Sequence, residues 1–75
     1  MKSLRSSAHL ELLRPLIAAR TKMGMTQEEL ASRLSRHQSF VAKYETDERR
    51  LEVLEFIQIC RMIGVAPEQI IKKVP

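Results

Sequence analysis

Between residues 38 and 43 the sequence places Gln38, Ser39 and Lys43 on one side of a helical repeat, with Ala42 as their only neighbour there. An amide, a hydroxyl and a cation supply hydrogen-bond donors and acceptors. On a basic support, a helix that displays them is shaped to enter a major groove. Catalytic chemistry has little to work with. The chain holds no carboxylate pair, nucleophile elbow or glycine-rich phosphate loop, so it is not expected to be an enzyme. His9 and His37 are far apart and have no further ligand at metal spacing, so neither a metal nor a cofactor is implied. Cys60, within an apolar stripe, reads as a small buried hydrophobe.

The distribution of charge points the same way. The 75 residues carry 13 Lys and Arg against 9 Asp and Glu. Residues 2–43 hold eight cations and three anions, whereas residues 44–75 hold five and six. A cationic half of this kind is the footprint of a surface that meets a polyanion. The hydrophobic fraction of 44% supports one folded domain over 1–75, with its core over about 7–73, and argues against disorder. A single cysteine cannot close an internal disulfide. No apolar run approaches a bilayer span, and the chain is expected to be cytoplasmic.

Five helices and no strand are needed to position these residues. The first is expected to be capped by Ser6 or Ser7 and to bury Leu10, Leu13, Leu16, Ile17 and Met23. Pro15 predicts either a bend or a helix that begins near Arg14. Gly24 ends that helix in the left-handed conformation. Thr26 and Glu29 have capping-box spacing and open a second helix, which turns Leu30, Ala31 and Leu34 inward. The third runs from Gln38 to Glu45, with Phe40, Val41 and Tyr44 as its apolar side, and 46–50 is a polar loop. The fourth covers about 52–63, with Val53, Leu54, Ile57, Cys60 and Ile63 inward, and Gly64 closes it. Pro67 starts a fifth carrying Ile70, Ile71 and Val74. His37, Glu52 and Ala66 are weak caps, and Ser35 stands in the tight turn between the second and third helices.

In this arrangement residues 14–72 resemble the Cro- and phage-repressor-like helix-turn-helix regulators, the xenobiotic-response-element type. The resemblance rests on Arg20, Gly24, Thr26-Gln27, Glu29-Leu30-Ala31, Leu34, Ser39-Phe40-Val41, Lys43-Tyr44-Glu45, Arg49-Arg50 and Ile63-Gly64-Val65. Where the family usually has glycine in its turn, this chain has Ser35. The resemblance implies an all-α, five-helix, lambda-repressor-like domain that binds double-stranded DNA. By position, Gln38, Ser39 and Lys43 are similar to the family's base-contacting residues, and a glutamine amide pairs with adenine N6 and N7. Gln27 resembles the side chain that bonds a phosphate, and Arg36, His37, Arg49 and Arg50 flank the same surface as further phosphate contacts. Arg20 and Glu45 match a salt bridge of structural purpose, which suits two charges on otherwise apolar faces.

The resulting expectation is a transcriptional regulator, a repressor, that reads an inverted repeat as a homodimer. Val65, Ile70, Ile71 and Val74 are the expected dimer surface. Two other readings remain open on the residues alone. One is an antitoxin-like or accessory module that neutralises a partner protein, a toxin or another. The other is a nonspecific nucleoid-type binder.

Overall fold

Helix ends organise this chain, and four of them close with one device. The computed structural model describes residues 7–75 and contains α1 (Ser7–Lys22), α2 (Gln27–Arg33), α3 (Gln38–Glu45), α4 (Val53–Ile63) and α5 (Pro67–Ile71). After α1, α2 and α3 the chain enters the left-handed region at Gly24 (φ +71), Ser35 (φ +56) and Asp47 (φ +65), and it does so again at Gly64 (φ +72). Each time the next amide folds back onto the helix. Met25 N–H donates to the Arg20 carbonyl, Arg36 to Ala31, Glu48 to Lys43 and Val65 to Cys60, at 2.9–3.2 Å. These paired returns satisfy carbonyls that a helix end leaves open. Two of the four turns use glycine, for which a positive φ carries no steric penalty. Serine and aspartate occupy the others at a cost of about 1 kcal/mol each.

The helix starts are equally local. Thr26 Oγ1 accepts the Glu29 amide at 3.0 Å, and Glu29 returns the bond to the Thr26 amide at 3.1 Å, forming the full capping box. His37 caps α3 through Nδ1, which accepts the Ser39 amide at 3.2 Å, so the ring fills the place of the more usual hydroxyl. At α4 the Glu52 amide donates to Glu55 Oε1 at 3.0 Å, so the acid three residues on takes up the open donor. Pro67 occupies the first turn of α5. Ser7 is the first residue of α1, and the alternative cap Ser6 lies outside the described residues.

The α1 helix runs unbroken through Pro15. The proline removes one hydrogen bond, while Leu13 and Leu16 on either side are both 1% exposed, and their burial holds the helix together. The core comprises those leucines with Met25, Leu30, Ala31, Phe40, Val41, Tyr44, Phe56, Ile59, Cys60, Ile63 and Ile70. Two expectations fail here. Met23 is exposed, and Met25 takes the core place beyond the left-handed Gly24. Val53 and Leu54 are 71% and 66% exposed, because α4 is rotated to bury Phe56 and Ile59 instead. Ile71 is also exposed, whereas Ile70 is buried and Val65 and Val74 are half-buried. Most of the expected dimer surface is therefore used within the monomer.

The α2 and α3 helices pack most closely on each other, while α1 lies against α3, α4 and α5. A buried polar link fastens this frame. His9 on α1 pairs through Nδ1 with Asp47 Oδ1, and its Nε2 accepts the Leu51 amide at 3.4 Å. Asp47 Oδ2 is buried without a hydrogen-bond partner. The link joins the first helix to the α3–α4 connection, just behind the end of α3.

Candidate nucleic-acid interface

The surface around α3 is built outward from a buried ion pair. Arg20 Nε donates to Glu45 Oε2 at 2.7 Å and Nη2 to Oε1 at 2.9 Å, a two-pronged contact between the end of α1 and the end of α3. The third prong, Nη1, donates to the Met25 carbonyl at 2.7 Å. The two side chains are 12% and 5% exposed, so each offsets the desolvation of the other. The Glu45 hydrogen bond raises the Arg20 pKa against the opposing effect of burial. Gln27 joins the cluster at the start of α2, its Nε2 donating to Glu45 Oε1 at 2.9 Å. One amide hydrogen of Gln27 is thus held by the protein, and the side chain is half-buried.

The α3 helix then presents two faces. Phe40, Val41 and Tyr44 point into the core, with the Phe40 and Tyr44 rings 5.5 Å apart. Burial pushes the Tyr44 phenol well above its usual range, so this side chain acts as a neutral core residue. On the other face Gln38, Ser39 and Lys43 are exposed and Ala42 is half-buried. The side chains of Gln38 and Lys43 have no hydrogen-bond partner among the described residues. The Ser39 hydroxyl lies 3.0 Å from His37 Nδ1, within the cap. His37 is itself exposed at the mouth of the α2–α3 turn.

Beside α3 two basic side chains are anchored together by one acid that sequence reasoning had not singled out. Glu55, in the first turn of α4, accepts Arg49 Nη1 and Nη2 at 2.7 and 2.8 Å and Arg36 Nη2 at 2.9 Å. Both guanidinium groups also lie over the Phe40 ring, at 4.1 Å for Arg36 and 5.0 Å for Arg49. The Glu55 side chain is 9% exposed, while the two arginines are 39% and 40% exposed. Bonding to Arg49, with help from the Glu52 amide and Arg36, lowers the Glu55 carboxyl to about 2. The same contact raises Arg49. Only the spacing Glu52–Glu55, that of a cap and its third residue, hinted at this anchor. Arg50 is exposed beside it. The described surface thus joins the start of α2, the outer face of α3 and two oriented arginines, an arrangement that can hold phosphates at its edges and offer hydrogen bonds between them.

Comparisons with known proteins agree with this geometry. The helix-turn-helix family model matches residues 16–70, well over half of the chain. Among solved structures, an XRE-family like protein from Pseudomonas syringae pv. tomato is 49% identical, with a TM-score of 0.84; the match covers 89% of this chain and 82% of that one. No curated protein matches. Among the described residues, no helix is long and apolar enough to cross a membrane. With its two crossed short helices, its buried arginine–glutamate pair and this likeness, the chain belongs to the XRE and Cro type of helix-turn-helix proteins, a family of DNA-binding regulators.

Proposed function

We propose that the protein is a sequence-specific transcriptional repressor that binds double-stranded DNA in the cytoplasm as a homodimer. The observation that carries this reading is the exposed Gln38–Ser39–Lys43 face of α3, on a helix beside which two arginines are fixed in place by Glu55. In a major groove the Gln38 amide reads one base, with Ser39 and Lys43 beside it on the next contacts. Ser39 reaches a base by giving up its hydroxyl contact with His37, while its backbone amide stays bound in the cap. Gln27 reaches a phosphate with the amide hydrogen that Glu45 does not hold. Arg36, His37, Arg49 and Arg50 take phosphates along the same edge and fix the register. Arg20 and Glu45 do not touch DNA; they hold α1 and α3 at the angle the contact needs.

One α3 helix reads only a few base pairs, and two related by a dyad double that. Their half-sites are then about 10 base pairs, or ~34 Å, apart. The test is selection of bound duplexes from a random pool at near-physiological salt. Enrichment of an inverted repeat with that spacing supports the reading. Binding that weakens steeply with salt but enriches no sequence indicates a nonspecific binder, because neutralised phosphates carry no sequence information. Absence of any binding by folded protein overturns the proposal.

A further inference from the structure

Among the described residues, Glu55 is the acid that both Arg36 and Arg49 meet at ion-pair distance. It takes two bonds from Arg49 and one from Arg36, so the three side chains together carry a single net positive charge. Arg49 is held further by its own bond to the Arg50 carbonyl at 3.1 Å, whereas Arg36 gives one N–H to Glu55 and keeps its other donors open. Glu52 acts on Arg49 through charge alone. We propose that Glu55 is a positioning residue that sets DNA specificity. It cancels one of two neighbouring charges and holds both guanidinium groups still, which limits attraction to DNA of any sequence and keeps the contact with the preferred sequence ready-made. The inference rests on the DNA reading above and concerns how the preferred duplex is told from the rest.

Attraction to phosphates is indifferent to sequence and grows with the number of cations that displace counterions. Two arginines without Glu55 would therefore raise binding to every duplex alike. A free arginine must also be ordered when it binds, and that loss of side-chain freedom opposes the contact. A side chain already held loses less. The advantage applies only where phosphates fall at the fixed guanidinium positions, which happens when α3 sits in register on its bases. The geometry ties the two together. Both guanidinium groups lie over the ring of Phe40, which belongs to α3 itself, so they keep their place relative to Gln38 and Ser39 on the same helix. Glu55 is itself fixed, since its side chain is 9% exposed and its Oε1 accepts the Glu52 amide at 3.0 Å. Bonding to Arg49 keeps the carboxyl ionised far below neutral pH.

The test compares the full-length parent with Glu55→Gln and Glu55→Asp, at a temperature where circular dichroism shows them folded. Each is titrated with a random-sequence duplex and with the duplex selected from the random pool, over about 50–200 mM salt. Glu55→Gln adds one net charge, so its binding to the random duplex should tighten roughly threefold and its salt slope should steepen by about one. Affinity for the selected duplex should not rise with it, because both arginines must then be ordered, and the ratio of the two affinities should fall by at least ~fivefold. A weakened fold alone loosens both duplexes and tightens neither. Glu55→Asp keeps the charge but is one methylene shorter than the span between the two arginines requires. Its slope should match the parent while its ratio falls. An unchanged slope and ratio in folded Glu55→Gln, or an unchanged ratio in folded Glu55→Asp, overturns the proposal; if Glu55→Gln does not fold, Glu55→Asp decides alone. A parent that binds neither duplex, or both equally, refutes the DNA reading and this inference with it. A discriminating parent with indifferent variants refutes the role of Glu55 alone.

Discussion

Glu55 is the residue whose replacement tests the architecture of the interface most sharply. Glu55→Gln keeps the shape and still offers an oxygen to the Glu52 amide, but it removes the charge that holds Arg36 and Arg49. Lowering the carboxyl from its ordinary 4.5 to about 2 sets a ceiling of about 3 kcal/mol on that charge's contribution. Solvent recovers part of this, because both arginines are about 40% exposed and rehydrate once released. The expected loss at neutral pH is about 1–2 kcal/mol, or a Tm lower by roughly 5–15 °C in a domain of this size. The carboxyl titrates lower in the folded chain than in the unfolded one, so the unfolded state binds more protons between about pH 2 and 4.5. The stabilisation is therefore complete above pH 4.5 and fades as the pH falls through about 2. Urea unfolding followed by circular dichroism at stepwise lower pH should show parent and variant converging across that window. A gap that stays constant with pH, or no gap at neutral pH, would refute the reasoning.

Other expectations follow from the same contacts. Arg20→Met leaves Glu45 charged and nearly buried, which should cost about 3 kcal/mol in thermal unfolding, and the double variant Arg20→Met/Glu45→Met should recover much of it. A stable Arg20→Met chain that merely fails to bind DNA would move Arg20 from the frame to the interface. Ser35→Gly relieves the positive φ of the α2–α3 turn and should stabilise by about 0.5–1 kcal/mol in urea; a destabilised variant would contradict the left-handed turn. Cys60 is fully buried, and burial pushes its thiol up to about 11, so a thiol reagent at neutral pH should label it only as fast as the chain opens. Rapid labelling of folded protein would place Cys60 at the surface.

The features that could be read from sequence are those set by short-range chemistry. The span of α3, the Thr26–Glu29 box and the turns at Gly24 and Gly64 each depend on a few adjacent residues. What escaped depends on distant partners. Val53 and Leu54 fit an inward stripe with Ile57, Cys60 and Ile63, but the buried side of α4 joins Cys60 and Ile63 to Phe56 and Ile59 instead. That orientation also brings Glu55 round to Arg36 and Arg49. The His9–Asp47 link spans 38 residues and leaves no local trace, and the left-handed Asp47 was read simply as part of a polar loop. In the site, the exposed face of α3 was legible because its inward partners are apolar. The engagement of Gln27 with Glu45 was not, since it joins residues 18 apart, and that of Ser39 with His37, though local, depends on a histidine standing where a hydroxyl cap is more usual.

The central claim is that Gln38 reads a base. Its most direct test is to measure the affinity of parent and Gln38→Ala for the selected duplex and for each single-base change within one half-site. The account predicts that the variant loses ~1–3 kcal/mol at one position only, and that substitutions at that position then cease to matter. A uniform loss across every sequence, with the base preference intact, would contradict it.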